Sequence, residues 1–191
     1  METDRIKWNK RFESMDSYLG ERPSPFLAQD IGRIKALAPG NIALDIACGE
    51  GRNSLFLAQH GFRVLGLDIS DVGLAKGRSR AHAMGLDVDF RRVDLDDYII
   101  EGRFDLILNF NFLLRELIPT EVAALNPGGL LLFDTIMASE ELLQAHDPSY
   151  LLQPGELQRL FAGFDGDILF SEESCDSEMP TARLLFRKSL I

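Results

Sequence analysis

A glycine turn that follows an acidic residue is the part of the sequence best suited to bind a nucleotide-like cofactor. Gly49 and Gly51 flank Glu50 directly after a short apolar segment that contains Asp45. Glycine lets a ligand approach the backbone closely, whereas an ionised carboxylate near an apolar core is costly unless another group hydrogen-bonds to it. We therefore expect Asp45 to have a hydrogen-bonding partner and the turn to contact a cofactor through its backbone.

Two further acidic residues end apolar segments at places where the rest of such a cofactor would lie. Asp68 comes about 20 residues after the glycine turn, where a carboxylate can accept hydrogen bonds from both ribose hydroxyls. Asp94 ends the next apolar segment and can accept a hydrogen bond from an adenine amino group, beside the backbone N–H of Leu95. Alternatively, Asp68 caps a helix and Asp94 belongs to a solvated acidic turn. The presence of both acids favours the cofactor interpretation.

Candidate contacts to a second ligand follow the fourth apolar segment and lie near the N-terminus. Asn109 ends that segment, and Asn111 stands between two phenylalanines, which indicates a ligand pocket, although Asn109 could also only cap a strand. Arg115 is a candidate for substrate contact, and a surface ion pair explains it equally well. Trp8 and Tyr18 could cover a ligand and exclude water, or Trp8 could simply pack a helix on the sheet. The candidate substrate-binding residues are Trp8, Tyr18, Asn111 and Arg115.

The elements that must position these residues alternate between strands and helices. Strands are predicted at Ile42–Ala47, Arg63–Asp68, Val88–Val93, Phe104–Asn109 and Leu130–Asp134, with a closing pair near Asp167–Ser171 and Ala182–Lys188. Helices are predicted at Asn53–His60, from Ser70 or Asp71 to Met84, and from Pro154. Strands joined by helices pair in parallel, whereas the closing pair, which has no helical pattern between its strands, forms an antiparallel hairpin.

These elements predict an α/β fold with a Rossmann-like, doubly wound, mostly parallel sheet. We expect seven strands, one of them antiparallel near the C-terminus, and helices on both faces. Such sheets bind ligands beyond the carboxyl ends of their strands, at the point where the strand order reverses. Pro23 and Pro25 interrupt the helical N-terminal segment, and Pro39-Gly40 ends it. Residues 1–191 are predicted to form a single domain, with a helical leader at 1–38 and the core at 39–191.

Composition and charge exclude several classes of function. With 191 residues, 46% of them apolar, the chain is long enough for one full α/β domain and short for two. The formal charge of −10 disfavours phosphate backbones, so we expect no nucleic-acid partner. No apolar run approaches the ~20 residues that cross a bilayer, which predicts a soluble, cytoplasmic protein without a membrane partner. The histidines and cysteines lack metal-ligand spacing, so no metal is expected, and a monomer or a homodimer both stay open.

Five segments, in this order and spacing, resemble the class I S-adenosylmethionine-dependent methyltransferases over nearly the whole chain. They are Leu44-Asp-Ile-Ala-Cys-Gly-Glu-Gly51, Gly66-Leu-Asp-Ile-Ser70, Val93-Asp-Leu95, Phe104-Asp-Leu-Ile-Leu108 and Leu125-Asn-Pro-Gly-Gly-Leu130. A narrower resemblance is to the tellurite-resistance and thiopurine-methyltransferase-like small-molecule branch. It rests on Gly51-Arg-Asn-Ser-Leu-Phe-Leu-Ala58, on the Trp8 and Tyr18 leader that ends in Pro23-Ser-Pro-Phe-Leu27, and on Pro154-Gly-Glu-Leu157.

The resemblance implies S-adenosyl-L-methionine as the cofactor and a small molecule as the methyl acceptor. Asp45 and the loop from Cys48 to Gly51 would hold the amino-acid end of the cofactor. Asp68 would bind the ribose, and Asp94 would bind the adenine together with the next residue. The full predicted set, in which the last member acts through its backbone near the methionine part, is Asp45, Ala47, Cys48, Gly49, Gly51, Arg52, Asn53, Asp68, Ile69, Asp94, Leu95 and Asn109.

The chain departs from these families where a catalytic base would be expected. Many relatives carry histidines after the fourth strand, where this chain has Leu114 and Arg115. The Asn-Pro-Pro-Tyr motif of nucleic-acid and protein amide methylation is replaced by Asn109-Phe-Asn-Phe112, which argues against DNA adenine as the substrate. Because no general base is evident, we expect an acceptor that is already ionised, such as a thiol or a metalloid oxyanion, and assign no catalytic residue.

Two other functions stay open from the sequence alone. A methyltransferase fold that binds the cofactor without catalysing transfer is favoured by the missing base. A NAD-dependent oxidoreductase would prefer the pattern Gly-x-Gly-x-x-Gly, but Ser54 occupies the third glycine position and Asp45 would have no customary role.

Overall fold

In the computed structural model, which describes residues 2–175 and 179–191, one seven-stranded sheet carries helices on both faces. The strands are β1 (Ile42–Ile46), β2 (Arg63–Asp68), β3 (Val88–Arg92), β4 (Phe104–Phe110), β5 (Leu125–Ile136), β6 (Gly166–Ser174) and β7 (Thr181–Lys188). The helices are α1 (Glu2–Glu13), α2 (Pro25–Leu37), α3 (Arg52–Gln59), α4 (Asp71–Ala83), α5 (Ile118–Ala124), α6 (Glu140–Ala145) and α7 (Glu156–Phe161). Short 3-10 helices span Arg115–Leu117 and Pro148–Tyr150.

The strand order confirms the fold expected from the sequence. The strands follow each other as β3-β2-β1-β4-β5-β7-β6. Strands β1 to β5 pair in parallel, whereas β7 lies antiparallel between β5 and β6. The order reverses between β1 and β4, so the carboxyl ends of these two strands border the crevice where open sheets of this type bind ligands.

Alternate residues of the central strands point to opposite faces of the sheet and build a separate core on each. On β4, Leu108 and Phe110 pack with Leu27 of α2, whereas Ile107 packs with Ile118 of α5. This alternation follows from the two-residue period of a strand. Because both faces are covered, the strands are apolar throughout, and polar side chains are concentrated at their carboxyl ends.

The structure differs from the sequence prediction at the start of β5 and of α7. β5 begins at Leu125 and takes in the predicted turn at Pro127, because the pairing with β4 shifts register after Phe104. Gly128, with φ of +74°, allows this irregularity without ending the strand. Helix α7 begins two residues after Pro154, because the intervening Gly155 has left-handed geometry.

The N-terminal segment forms two helices separated by an irregular stretch that reaches the glycine turn. Helix α2 starts at Pro25, where the fixed φ of proline and its missing N–H suit the first helical position. Helix α1 packs against α4, on the side of the sheet edge formed by β3. Within the described residues, no helix combines the length and the apolar character that crossing a membrane requires.

Candidate functional site

The expected partner of Asp45 is Ser54. Asp45 is only 2% exposed and accepts a hydrogen bond of 2.6 Å from the Ser54 hydroxyl, which lies in the first turn of α3. Burial raises the pKa of Asp45 to about 7, and the bond from Ser54 opposes this shift. Ser54, at the third glycine position, therefore supplies the hydrogen bond that the buried Asp45 needs.

The glycine turn satisfies its own backbone donors. Gly49 and Gly51 have φ of +57° and +75°, and a Cβ on Gly51 would lie 2.5 Å from the ring of Phe90. The N–H of Cys48 donates to a carbonyl of β2, that of Gly49 donates to Asp68, and that of Gly51 donates to the Cys48 carbonyl. These three N–H groups are therefore already used within the protein and are not free to bind the cofactor.

Asp68 links the glycine turn to the start of α4. One carboxylate oxygen accepts a hydrogen bond of 2.8 Å from the Gly49 N–H, and the other accepts one of 2.8 Å from the Ser70 N–H. Burial raises the pKa of Asp68, and these two backbone bonds oppose the shift. Each carboxylate oxygen carries two lone pairs, so Asp68 can still accept hydrogen bonds from ribose hydroxyls.

A small cavity of about 20 Å³ lies beyond the ends of β1 and β4. This volume holds little more than one water molecule. Cys48 is one of the residues that line this cavity, and burial raises the pKa of its thiol well above its usual range, so the thiol stays protonated. The lining residues are Phe12, Leu19, Gly20, Asp45, Ala47, Cys48, Glu50, Arg52, Asn53, Phe110 and Asn111.

A larger cavity of about 240 Å³ lies beyond the ends of β2 and β3. Ile69 and Asp94, both predicted to bind the cofactor, line it together with the neighbouring Arg92 and Val93. Its remaining wall comes from Glu2 and Arg5 of α1. The side chain of Leu95 is buried in the core, so this residue can reach a ligand only through its backbone.

Backbone strain is concentrated at the small cavity. Among the described residues other than glycine, Ala47 (φ +51°) and Asn111 (φ +56°) are the two with positive φ, and both line that cavity. They lie directly beyond the ends of neighbouring strands, β1 and β4. Strained backbone of this kind persists where the surrounding structure fixes it and occurs preferentially at ligand sites.

Side chains of the glycine turn hold the stretch between α1 and α2, residues 14–24, which we call the strap. Glu50, only 5% exposed, accepts a hydrogen bond of 2.8 Å from the Tyr18 N–H and one of 3.1 Å from Lys76. Arg52 donates to a strap carbonyl at 3.0 Å, and Asn53 accepts from a strap N–H at 2.8 Å. Arg52 and Asn53, predicted to bind the cofactor, thus use polar atoms to hold the strap over the small cavity.

The N-terminal aromatic residues pack on one another. The ring centroids of Trp8, Phe12 and Tyr18 lie 5.8 to 6.1 Å apart, and the guanidinium of Arg11 stands 4.8 Å above the Trp8 ring. Phe12 lines the small cavity, whereas the predicted substrate residues Trp8 and Tyr18 line neither cavity. Phe12 therefore contacts the small cavity directly, whereas Trp8 and Tyr18 pack against Phe12 and do not reach the cavity.

The side chain of Asn109 is turned away from both cavities. It is fully buried and donates a hydrogen bond of 2.8 Å to Glu121 of α5. Within the described residues, the Asn109 Oδ1 and Glu121 Oε2 atoms are enclosed without a hydrogen-bond partner. Burial raises the pKa of Glu121 to about 8, and its protonated form has an O–H that can donate to Asn109. Only the backbone of Asn109 is left for the cofactor, as the sequence prediction has it.

Arg115 forms internal contacts in place of the predicted contact with a substrate. Its guanidinium binds both carboxylate oxygens of Glu156, at 2.6 and 3.0 Å, and the carbonyls of Ser149 and Leu151 at 2.6 and 3.0 Å. Arg115 lines neither cavity. The ion-pair interpretation is therefore the one that fits, and the side chain fixes the segment before α7.

Asp134 is an acidic residue near the site that the sequence reasoning missed. It pairs in register with Phe110, close to the end of β5, and its carbonyl accepts a hydrogen bond of 2.8 Å from the Asn111 N–H. Burial raises the pKa of Asp134 to about 6, although Arg183 and Arg52 lower it. The Arg183 Nε lies 3.6 Å from the Asp134 carboxylate. Within the described residues, this Nε is enclosed without a hydrogen-bond partner. An acid after the apolar run from Leu130 is the same signal that identified Asp68.

The donor set fits S-adenosylmethionine at the adenosine end, where the larger cavity has Ile69 and Asp94 in its wall and Asp68 adjoins the glycine turn. At the methionine end, Asp45 and Arg52 offer both charges that an amino-acid group requires. A cavity of about 20 Å³ is too small for that group. The strap residues Leu19 and Gly20 form one wall of this cavity, so an outward displacement of the strap would enlarge it.

Comparisons with known proteins agree with this geometry. A protein-family model described as a methyltransferase domain matches residues 43–129. The ubiquinone biosynthesis O-methyltransferase of Caulobacter vibrioides is 28% identical over 155 residues, which are 69% of this chain and 62% of that protein. The corresponding protein of Rhizobium etli CFN 42 is 31% identical over 141 residues, which are 62% of this chain and 57% of the relative. The chain thus spans about three fifths of the length of these relatives.

Solved structures share the fold. TehB from Haemophilus influenzae superposes with a TM-score of 0.71 at 23% identity, covering 85% of this chain and 62% of that one. The magnesium protoporphyrin IX methyltransferase ChlM from Synechocystis PCC 6803, solved with bound SAM, gives 0.70 at 18% identity and covers 98% of this chain and 96% of the other. At these identities the likeness establishes the fold alone, so the tellurite-resistance branch stays a prediction. In sequence over residues 43–129, and in fold, this chain is therefore similar to S-adenosylmethionine-dependent methyltransferases.

Proposed function

We propose that the protein transfers a methyl group from S-adenosylmethionine to a small molecule. The observation that carries the proposal is the placement of three acids, Asp45, Asp68 and Asp94, at or near the carboxyl ends of adjacent parallel strands around the glycine turn. Of these three strands, β1 borders the point where the strand order reverses, and β2 and then β3 lie next to it in the sheet. The acids are spaced to serve the three parts of the cofactor: amino acid, ribose and adenine.

Different residues of the site would bind different parts of the cofactor. Ile69 and Asp94 would hold the adenine in the larger cavity, and Asp68 would accept the ribose hydroxyls. Asp45 and Arg52 would hold the amino-acid end after the strap has moved. When bound, the cofactor supplies a methyl group on a positively charged sulfur. Enclosure by the strap would keep water away from that group.

Asp134 is the candidate general base, and it favours an acceptor that carries a proton. The carboxylate lies near the end of β5 beside Phe110, has a pKa of about 6, and is therefore largely ionised at neutral pH. It can accept the proton of a hydroxyl acceptor and pass it to water afterwards. The names of the curated relatives, which are O-methyltransferases, agree with such an acceptor. A thiolate or a metalloid oxyanion would not need this residue.

No observation favours the two other functions. Ser54 at the third glycine position donates its hydroxyl to Asp45, which gives this acid a role that a NAD site does not require. The argument for a silent binding module was the missing base, and Asp134 as a candidate base would answer it. A cytoplasmic location and a state as monomer or homodimer stay predictions of the sequence.

Calorimetry with S-adenosylhomocysteine and with NAD tests the cofactor. We expect the protein to bind S-adenosylhomocysteine, and Asp68→Ala to weaken this binding roughly tenfold or more, because a hydrogen bond to a charged group contributes ~1.5–3 kcal/mol. Asp89→Ala is the matched control, since Asp89 is an exposed acid on β3 that binds Arg91. Binding of NAD without binding of S-adenosylhomocysteine would refute the proposal.

Methyl transfer to a panel of phenols and thiols tests the acceptor. We expect Asp134→Asn to reduce transfer to phenols by roughly 100-fold, the scale of general-base catalysis, while transfer to thiols at a pH above their pKa changes little. S-adenosylhomocysteine affinity should stay within about twofold of the wild-type value. Equal losses with both acceptor classes would mean that Asp134 supports the structure of the site and does not accept a proton.

A further inference from the structure

We propose that helix α1 is part of the cofactor site and that Asn9 is the residue that positions the loop carrying Asp68. The inference rests on the proposed use of S-adenosylmethionine. The Asn9 side-chain oxygen accepts a hydrogen bond of 2.7 Å from the Ser70 hydroxyl and one of 3.3 Å from the Val72 N–H. Asn9 therefore caps the start of α4 from a helix that lies some 60 residues earlier in the chain.

A continuous series of hydrogen bonds leads from Asn9 to the glycine turn. The Ser70 N–H donates to one oxygen of Asp68 at 2.8 Å, and the other oxygen accepts from the Gly49 N–H at 2.8 Å. The Ser70 hydroxyl, which is fully buried, also accepts from the Gly73 N–H at 3.0 Å. The acid expected to bind the ribose is thus held between two loops, and one of these loops is held by α1.

Because the Ser70 hydroxyl has only one hydrogen, its acceptor Asn9 determines how this hydroxyl is oriented. A hydroxyl donates one hydrogen bond, and here it goes to Asn9, which leaves the oxygen lone pairs directed at Gly73. Without Asn9 the buried hydroxyl would lack this acceptor and would rotate to find another, such as Asp68. Its lone pairs would then turn away from the Gly73 N–H. The start of α4 and the orientation of Asp68 would change together.

Independent contacts hold α1 in the same place. A Cβ on Gly49 or on Gly73 would lie 3.1 or 3.2 Å from the Phe12 ring, so the two glycines leave room for this ring. Arg5 donates to Asp71 at 2.7 Å. Residues of α1 form walls of both cavities, since Phe12 lines the smaller one and Arg5 the larger one.

The site is therefore incomplete without α1, although this helix lies before the matched methyltransferase domain at 43–129. If docked α1 orients Asp68, cofactor binding must in turn stabilise the docked helix, because the coupling free energy between two binding events is reciprocal. Two measurements follow: the affinity for the cofactor, and the hydrogen exchange of the α1 amides. If Asn9 only stabilised the fold, changing it would not alter both of them together.

Calorimetry with S-adenosylhomocysteine tests the first end. We expect Asn9→Ala to weaken binding roughly fivefold to tenfold, which corresponds to the net value of about one hydrogen bond. Asn9→Asp keeps an acceptor oxygen at this position and should stay within about threefold of the wild-type affinity. Lys7→Ala, an exposed residue of the same helix, is the control and should bind as the wild type does.

Hydrogen exchange of the α1 amides tests the other end on the unmodified protein. S-adenosylhomocysteine should slow exchange in α1 several-fold in the wild type and less in Asn9→Ala. If the wild type binds the compound while Asn9→Ala binds equally well, or while α1 exchange is unchanged, the inference is wrong and the proposed function stands. If the wild type does not bind it, the proposed function itself fails. Should Asn9→Ala not fold, the wild-type exchange result alone decides.

Discussion

At the scale of single residues, the site depends on how buried acids are satisfied. Asp45 is held by the Ser54 hydroxyl at 2.6 Å in surroundings that water hardly reaches. Its raised pKa means that the folded protein binds the proton more tightly than the unfolded chain does. Stability from this group is therefore complete in acid and is lost as the pH rises through about 7.

Ser54→Ala should destabilise the protein by ~1–3 kcal/mol at neutral pH, because it leaves a buried carboxylate without its partner. The loss should shrink toward pH 5, where Asp45 is protonated in both proteins, and the pKa of Asp45 should rise further. Urea unfolding from pH 5 to pH 8 measures this, with Ser14→Ala on the exposed end of α1 as the control. A loss that does not vary with pH would show that Ser54 acts through packing alone.

The strained backbone at Ala47 gives a second prediction at this scale. Alanine to glycine usually costs ~0.5–1 kcal/mol, but at φ of +51° glycine also relieves a penalty of ~1–2 kcal/mol. We therefore expect Ala47→Gly to be neutral or slightly stabilising in thermal unfolding. Ala43→Gly, a buried alanine within β1 that is not among the residues with positive φ, should be clearly destabilising. Equal destabilisation by the two changes would argue against strain at Ala47.

The sequence predicted that a partner of Asp45 exists but not which residue it is. Ser54 meets Asp45 only because α3 folds back along β1, and this depends on the turn between them. Asp134 carried the same sequence signal as Asp68, an acid after an apolar strand, and could have been identified. Asn9 carried no such signal, because its partner Ser70 lies on a helix far along the chain. Arg115 was ambiguous from sequence, and Glu156 resolves it.

At the scale of elements, Lys76 of α4 is one of the side chains that hold the strap, together with Glu50, Arg52 and Asn53. The Lys76 ammonium of α4 donates to the carbonyls of Phe12, Met15 and Asp16 and to the Glu50 carboxylate. An ammonium has three hydrogens, so these four acceptors share them. If the strap moves when the small cavity accepts an amino-acid group, the contacts from Lys76 and Arg52 are among those that the movement has to break.

Lys76→Met should loosen the strap while the sheet stays folded. We expect a glutamate-specific endoproteinase to cleave after the exposed Glu21 several-fold faster than in the wild type, with far-ultraviolet circular dichroism unchanged. Lys35→Met, an exposed lysine on α2, is the matched control. If cleavage after Glu21 were as slow as in the wild type, Glu50, Arg52 and Asn53 would be sufficient to hold the strap.

The elements were more predictable than their ends. Segments bounded by glycine and proline located all seven strands. The runs of the central strands β1, β4 and β5 are the most apolar, because both faces of the sheet are covered there. The sequence predicted a turn at Pro127 and a strand from Leu130, whereas β5 begins at Leu125. The strand continues through Pro127 because its pairing with β4 shifts register there, and this shift depends on the partner strand. The short helices α5 and α6 were not predicted, since each spans less than two turns of periodic sequence.

At the scale of the whole molecule, a hydrogen bond between Asn109 of β4 and Glu121 of α5 links the sheet to this helix. The protonation of Glu121 makes the contribution of this link depend on pH. Glu121 is fully buried in the core on that face, and its pKa of about 8 results from burial. The folded protein therefore retains this proton to higher pH than the unfolded chain. The resulting contribution to stability is fully present below the unfolded pKa of about 4.5 and is lost as the pH rises through about 8.

Glu121→Gln should flatten this dependence. The wild type should lose ~3 kcal/mol of unfolding free energy between pH 5 and pH 8 from this group alone, since one pKa unit corresponds to ~1.4 kcal/mol. Glutamine mimics the protonated acid and does not titrate, so the variant should match the wild type near pH 5 and exceed it at pH 8. Glu116→Gln, outside the core cluster, is the control. Parallel stability curves for wild type and variant would refute a proton on Glu121.

The buried acids also make the formal charge of −10 a property of the unfolded chain more than of the folded protein. At pH 7 Glu121 retains most of its proton and Asp45 about half of one. Unfolding at this pH should therefore release more than one proton to the solution. The measured enthalpy of unfolding would then differ between phosphate and Tris by the ionisation heats of these buffers, and the difference would count the protons held inside the sheet.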